Sequence, residues 1–512
     1  MTQAGTLDRP QPALGCVQRR LTRAVDPLAL YAAVNGPDTA LFEGNDGRTL
    51  LMERAAVRAE CRGGQVRLSA LSAQGESLLS TLPSRLPGAR VVNSAARHLT
   101  LHFPLPQTLD AGERLRAPAP LHALRAALAV AGPAQDDAFA ASLLGIVAFD
   151  HAARGEEMAE YAEDPLGFPD FVFWVPETLV LFDPGAPPRI LCAAFADADP
   201  ARAARNHHDA VARLTALVHT CEGEVRAPPP HAAAESVLTF EADLDDDAYA
   251  AVILRLKEEI AAGEVYQIVP SRTFRAPCPD PLAAFSRLRA LEPNSYRFYV
   301  EGAGFTLFGA SPETSVRLAG GLVEVKPIAG TRQRGATADE DDRLEAELRL
   351  DHKELAEHMM LVDLARNDVA RISVPGTRRV AKLLAVERYA RVMHLVSSVT
   401  GHLANDLDAL DALAACLNVG TLTGAPKIRA MQLLREAERT RRGPYGGAVG
   451  WLNGAGEMDM AVVIRSAVVR DGTAYVRAGA GVVHDSIPAA EAEETKRKAS
   501  ALLSVLGAEA RP

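Results

Sequence analysis

Several things are missing from this 512-residue sequence, and each absence excludes a class of function. No run approaches the ~18 consecutive apolar residues of a membrane-crossing helix, although 48% of the residues are hydrophobic. The start, MTQAGTLDRPQPALGC, has neither a basic segment leading into an apolar core nor an Arg-rich amphipathic pattern, so no targeting segment is expected and the cytoplasm is the expected compartment. Cysteine is sparse: Cys16, Cys61, Cys192, Cys221, Cys278 and Cys416 form no CxxC and no Cys/His pair at ligand spacing, which argues against a disulfide framework and a zinc site. A net charge of -10 with no basic block argues against nucleic acid as a partner. What remains is a globular chain long enough for roughly two to four domains.

The first half alternates short β-like runs with turn residues: Thr49 to Met52, Val66 to Leu71, His98 to Phe103. Such a pattern predicts a sheet-rich region with a few helices packed on it. Phe171 to Phe182 reads as two buried strands broken at Pro176, because proline cannot donate to a ladder. His207 and His208 fall in an Ala/Arg-rich helical stretch, Pro200 to Val218, and read as surface residues. Cys221 to Ser236 turns to Pro, Ala and charge, which marks a linker and divides the chain into 1–235 and 236–512.

Beyond the linker, Asp243 to Ala262 is an amphipathic helix closed by Gly263, followed by a strand-like Val265 to Pro270. Tyr296 to Val300, Phe305 to Phe308 and Leu322 to Val325 predict an antiparallel meander with polar strand ends at Ala310 to Glu313 and Pro327 to Thr331. Gly420 to Lys427 lacks the spacing of a nucleotide-binding P-loop and keeps only the weaker property of a Gly-rich turn that feeds a helix and can hold an anion. Arg465 lies in an apolar run, where a carboxylate partner is expected.

Two helices carry acid at matching spacing. Asp351 to Asp368 has no Gly or Pro, and its Glu354 and Glu357 share a face that continues into Leu361 and Leu364. Pro488 to Leu506, with Ser486 as expected N-cap, aligns Glu491, Glu494 and Lys498. Two acidic pairs on two elements suit a hard dication that leaves positions for water and substrate. The competing reading is two ordinary charged helix faces, with Lys353 and Arg349 as partners, and spacing leaves both open.

Taken together, the segments GEVYQIVPSR (263–272), ASPE (310–313), PIAGTR (327–332), DHKELAEHMMLVDLARND (351–368), YARVMHLVSSV (389–399), GTLTGAPKIRAMQLL (420–434), RGPYGGAVGW (442–451), VIRSAVV (463–469) and AGAGVVHDS (478–486) with EAEET (491–495) resemble the chorismate-binding enzymes, and among them anthranilate synthase component I. The first half resembles the family's N-terminal region at TLLMER (49–54), GIVAFD (145–150) and FPDFVFWVPETLVLFD (168–183). The resemblance implies an α+β fold of two interlocked antiparallel-sheet layers flanked by helices, with 1–235 as a regulatory and partner-contact region and 236–512 as the catalytic region.

The resemblance also implies roles. Glu357 and Glu494 would be Mg²⁺ ligands, supported by Glu354 and Glu491, since a dianionic substrate needs a cation to approach four carboxylates. Arg465 and Tyr445 would hold the enolpyruvyl carboxylate. Gly479, Ala480 and Gly481, with Thr421, would hold the ring carboxylate, and Gly330, Thr331 and Lys498 would complete the substrate site. Glu313 would be the general acid and His394 the group that assists loss of the C2 proton. Gln267 and Ala329 replace the lysines of relatives that use water or a covalent lysine, which points to ammonia and anthranilate. No glutaminase is fused, so a separate amidotransferase subunit is the implied partner in a hetero-oligomer.

Tryptophan-inhibited relatives carry LLES and NPSPYMF segments. The positions matched here are Glu53 and Arg54 in Leu50 to Arg54, and Pro293, Asn294, Tyr296 and Arg297 in Glu292 to Phe298. Arginines at 54 and 297 predict weak or absent tryptophan feedback. Two rivals remain beside this expectation: a synthase that stops at 2-amino-2-deoxyisochorismate, and a non-catalytic chorismate-binding subunit.

Overall fold

The computed structural model describes residues 14–509 apart from 83–87, 107–109, 130–136, 155, 157, 162, 227–237, 294 and 390–391. The linker expected at Cys221 to Ser236 lies largely outside the described residues. Before it, the helix Pro200–Glu222 continues past the expected end at Val218, with His207 and His208 exposed.

Strand alternation in the sequence becomes one continuous antiparallel network in two layers. In the first, Leu14–Arg20 pairs with Arg189–Phe195, which pairs with Phe171–Phe182. The ladder continues through Thr49–Arg62, Thr39–Glu43, Tyr296–Gly302, Phe305–Ser311, Ser466–Arg470 and Thr473–Gly479 to Ser271–Pro277. The second runs from Ser142–Val147 through Ala448–Asn453, Met458–Val462, Thr314–Ala319 and Leu322–Val325 to Val392–His402. Each layer holds strands from both sides of residue 235, joined in the first where Thr39–Glu43 pairs with Tyr296–Gly302 and in the second where Ser142–Val147 pairs with Ala448–Asn453.

Phe171–Phe182 joins the layers as one strand, not two. Its first residues pair with Leu144–Val147 and its later ones with Arg189–Cys192, so its edge partner changes around Pro176. There the opposite ladder to Thr49–Arg62 also shifts register. A residue without an N–H sits where the pairing is interrupted anyway, which is why proline does not end the strand. Between the layers lies a core drawn from both halves of the chain, including Phe42, Leu50, Leu144, Trp174, Phe298, Val449 and Trp451.

Helices cover the outer faces. The acidic helix His352–Ala370 begins at Asp351, whose carboxylate accepts the amides of Lys353 and Glu354 at 3.1 and 3.2 Å. Its Leu361, Val362, Ala365 and Val369 are buried. The C-terminal helix Pro488–Leu506 has Pro at its first position and ends at Gly507 with φ 79°. Its N-cap is Ile487 without a side-chain bond, correcting Ser486: that hydroxyl accepts the Val483 amide at 3.0 Å in the preceding turn. The expected strand Val265 to Pro270 shrinks to Gln267–Ile268, paired with Gly424–Ala425. Among the described residues no helix is long and apolar enough to cross a membrane.

Candidate active site

The two layers part where Phe305–Ser311 passes into Thr314–Ala319 and, alongside, Met458–Val462 passes into Ser466–Arg470. At this crossing Val462 N–H donates to Glu313 O at 2.9 Å and Ala310 N–H to Arg465 O at 3.0 Å. Arg465 takes φ 50° to make the turn. An acid and a cation are thereby placed on adjacent strands at the mouth between the layers.

Glu313 is 5% exposed, and Thr421 donates its hydroxyl to Glu313 Oε1 at 2.8 Å. Burial pushes its carboxyl up to about 8, with Thr421 and Lys498 pulling the other way, so it carries a proton at neutral pH. His394 is shifted oppositely: burial first, with Arg465 adding to it, lowers its imidazole to about 4 against the backbone carbonyl of Gly330, which favours the charged form. It is neutral at pH 7, with Nδ1 3.0 Å from Thr331 Oγ1 and 3.3 Å from Gly330 O. Burial thus shifts the two groups in opposite directions.

The other expected residues join these through direct contacts. Arg465 Nη1 donates to Lys498 O at 2.7 Å; Lys498 Nζ donates to Gly479 O at 2.9 Å and pairs with Glu494 Oε1 at 2.7 Å. Among the described residues no protein carboxylate is hydrogen-bonded to Arg465, so of the partners expected from sequence, protein or ligand, the ligand is left for its remaining donors. A Cβ at Gly479 would stand 3.0 Å from Tyr445 Oη, one at Gly481 2.8 Å from Gln267 Nε2, and one at Gly330 3.2 Å from Glu354 Oε2. A side chain at any of the three would push the neighbouring polar group aside. The Ala480 amide does not face a ligand, since it donates to Pro270 O at 3.2 Å. Lys427, at the end of the Gly-rich turn, is likewise committed, pairing with Asp368 at 2.7 Å, so that turn grips no anion through its lysine.

The four carboxylates face one another from the two helices. Glu357 Oε1 is buried without a hydrogen-bond partner, and burial, with Glu354, Glu491 and Glu494 nearby, raises its pKa against the pull of Lys353. Among the described residues no three acidic, His or Cys side chains close into a ready ligand set. Three of the acids lean on cations instead: Glu494 on Lys498, Glu354 on Arg332 at 3.4 Å and Glu357 on Lys353 at 3.7 Å. Arg349, the other cation named from sequence, pairs with Glu345. A buried carboxylate oxygen with no hydrogen bond and only a long contact to Lys353, amid converging acids, fits a hard dication.

The expected tryptophan positions do not come together. Glu53 and Arg54 line a cavity of about 430 Å³ beside the helix Pro200–Glu222, where Glu53 binds Arg213 at 3.0 Å and Arg54 lies 3.7 Å from Glu177. Arg297 pairs with Glu43, and Glu43 with Thr49, so Arg54 is displaced along the ladder. The segment facing Tyr296 to Phe298 is therefore Leu41 to Gly44, which corrects the match to Leu50 to Arg54. Two neighbouring strands both read apolar, apolar, Glu, and only the pairing distinguishes them. Arg297 Nε is 3.0 Å from Glu43 Oε2, beside a cavity of about 20 Å³ lined by Phe42, Tyr296 and Trp451. Tyr296 donates to Asp459 at 2.9 Å, Pro293 is exposed and Asn294 lies outside the described residues.

Sequence reasoning missed Arg272, 1% exposed, which donates to Thr495 Oγ1 at 2.9 Å, Ala492 O at 2.8 Å and Asp246 at 2.8 Å, and so ties the C-terminal helix to the sheet. Its strand, Ser271–Pro277, mixes polar and apolar residues, so the buried arginine gave no signal of its own.

A family model described as chorismate binding enzyme matches residues 93–504, and the chain belongs to that family. It is 45% identical over 99% of its length to anthranilate synthase component 1 of Vibrio cholerae, covering 98% of that protein. It is 46% identical, over 90% of its length and 87% of the relative, to the pyocyanine-specific anthranilate synthase component 1 of Pseudomonas aeruginosa. Among solved structures, anthranilate synthase component I from Streptococcus pneumoniae superposes with a TM-score of 0.68 at 28% identity, covering 94% of this chain and 98% of that one.

Proposed function

We propose that this chain is the chorismate-converting subunit of an anthranilate synthase, making anthranilate and pyruvate from chorismate and ammonia through 2-amino-2-deoxyisochorismate. The observation that carries the reading is the buried Glu313 held by the Thr421 hydroxyl at 2.8 Å, with His394 held at Thr331 at 3.0 Å and burial shifting the two groups in opposite directions. Arg465, with Tyr445 beside it, holds the enolpyruvyl carboxylate, and the closely approached glycines 479 and 481 leave room for the ring. Glu313 protonates the C4 hydroxyl as it leaves and ammonia adds at C2. His394 then takes the C2 proton while pyruvate departs and the ring becomes aromatic. Gln267 packs against Gly481 and offers no basic group to activate water.

Glu357 and Glu494, supported by Glu354 and Glu491, would hold Mg²⁺, which when bound supplies Lewis acidity toward the ring carboxylate and screens the four acids. Ammonia comes from glutamine through a separate amidotransferase subunit in the cytoplasm, and 1–235 contributes regulation and partner contact.

Tryptophan feedback is weak or absent. The Arg297–Glu43 pair occupies the place where an effector would enter, and the adjoining 20 Å³ has room for about one water.

Purified chain with chorismate, Mg²⁺ and ammonium tests the assignment. Anthranilate fluorescence accompanied by equimolar pyruvate is the expected result, lost in Glu494→Ala; amination without pyruvate release contradicts it.

A further inference from the structure

Behind the site lies a buried charged cluster to which the proposed chemistry gives no role, although Ser271 and Arg442 fall within quoted motifs. Glu438 ends the helix Lys427–Glu438, and its side chain is 4% exposed. Oε1 accepts from Ser271 N–H and Oγ, each at 2.8 Å, and from Arg442 Nη2 at 2.7 Å. Oε2 accepts from Arg442 Nε at 2.8 Å and Arg477 Nη2 at 2.9 Å. Each guanidinium reaches further. Arg442 donates to Leu422 O and Val269 O, both at 2.7 Å, and Arg477 donates to Ser271 Oγ at 2.8 Å and Arg441 O at 3.1 Å.

Apart from the bonds of Arg477 to Arg441 O and Thr440 Oγ1, the arms of this cluster end beside residues of the substrate site. Leu422 adjoins Thr421, Val269 follows Gln267 by two residues, and Arg442 precedes Tyr445, over whose ring its guanidinium lies at 5.8 Å. Ser271 pairs directly with Gly479, two residues beyond Arg477. Ser271, Arg442 and Arg477, from three segments of the chain, thus meet on one carboxylate. Charge-assisted bonds in a water-excluded interior are stiff, and a fully satisfied network of them fixes geometry more tightly than apolar packing.

We propose that Glu438 is a positioning residue for the substrate. By locking Arg442 and Arg477 it sets Gln267, Thr421, Tyr445 and Gly479 at the spacing one ligand requires, without touching that ligand. The proposal rests on reading the cleft as the chorismate site.

Steady-state kinetics with free ammonium, together with calorimetric titration of chorismate in the presence of Mg²⁺, tests it on the full chain. Glu438→Gln puts an NH₂ group against the guanidinium donors and is expected to raise KM and Kd for chorismate by roughly tenfold or more. The KM for ammonium stays unchanged. Ser271→Ala removes only a hydroxyl from the cluster and is expected to weaken chorismate by about threefold with its melting temperature nearly intact. That variant decides the matter if Glu438→Gln does not fold. Folded Ser271→Ala with wild-type chorismate affinity, or chorismate and ammonium KM rising together, overturns the proposal. Wild-type chain that makes no anthranilate overturns the reading of the site instead.

Discussion

Thr421 and Glu313 meet at 2.8 Å across segments more than a hundred residues apart, and the hydroxyl is the donor. A donor aimed at a carboxyl oxygen favours the ionised form, yet burial outweighs it and the acid stays protonated at neutral pH. The consequences of that balance are measurable.

The pH profile of kcat/KM, corrected to the concentration of unprotonated ammonia, is expected to fall on its alkaline side near pH 8 as Glu313 ionises. On the acid side it falls near pH 4 as His394 becomes charged. Thr421→Val removes the bond that favours the carboxylate and moves the alkaline limb upward.

Stability follows the same group. The Glu313 carboxyl titrates higher in the folded chain than its ordinary 4.5, so its neutral form favours the fold below that value and the advantage disappears as pH rises through about 8. Glu313→Gln, neutral throughout, is expected to show a melting temperature that exceeds wild type by a growing margin between about pH 5 and 8, while losing activity. Thermal melts across that range check it.

His394→Ala is expected to slow anthranilate formation by about 10²-fold or more while amination continues. Pyruvate release drops in step, and an aminated, non-fluorescent product accumulates in single-turnover chromatography.

Magnesium is expected to raise the melting temperature of the wild-type chain and to leave Glu357→Gln with Glu494→Ala unmoved, a readout independent of turnover. Chelation abolishes activity and restores the raised pKa of Glu357 that burial, with its acidic neighbours, imposes.

Micromolar tryptophan is expected to leave anthranilate formation unchanged. Arg297→Met, which frees Glu43 from one of its two guanidinium partners, is the substitution expected to introduce inhibition, measured as a fall in initial rate.

Much of the site was legible because its chemistry is local. Glu354 with Glu357, and Glu491 with Glu494, lie within single helices, so spacing alone placed each pair on a face. The order of the motifs then brought in Glu313, His394 and Arg465. Register was not legible: Leu41 to Gly44 and Leu50 to Arg54 look alike, and the choice between them lies in a cross-strand partner more than two hundred residues away. Pro176 misled for a related reason, since its effect depends on whether a neighbour needs its missing N–H at that point. Glu438 gave no signal because a carboxylate near a helix end looks solvated until the arginines that bury it are known.

The strand Phe171–Phe182 binds both layers together, and its neighbour Ser142–Val147 finds its other partner only at Ala448–Asn453. During synthesis the second layer therefore waits, with one edge open, until nearly all of the chain has left the ribosome. Pairing over such separations is slow, and the unpaired edges are sticky in the meantime. Co-synthesised chaperones or a lower expression temperature are expected to raise the yield of folded chain, through the same long-range pairing that brings the Glu313 and Arg465 segments side by side.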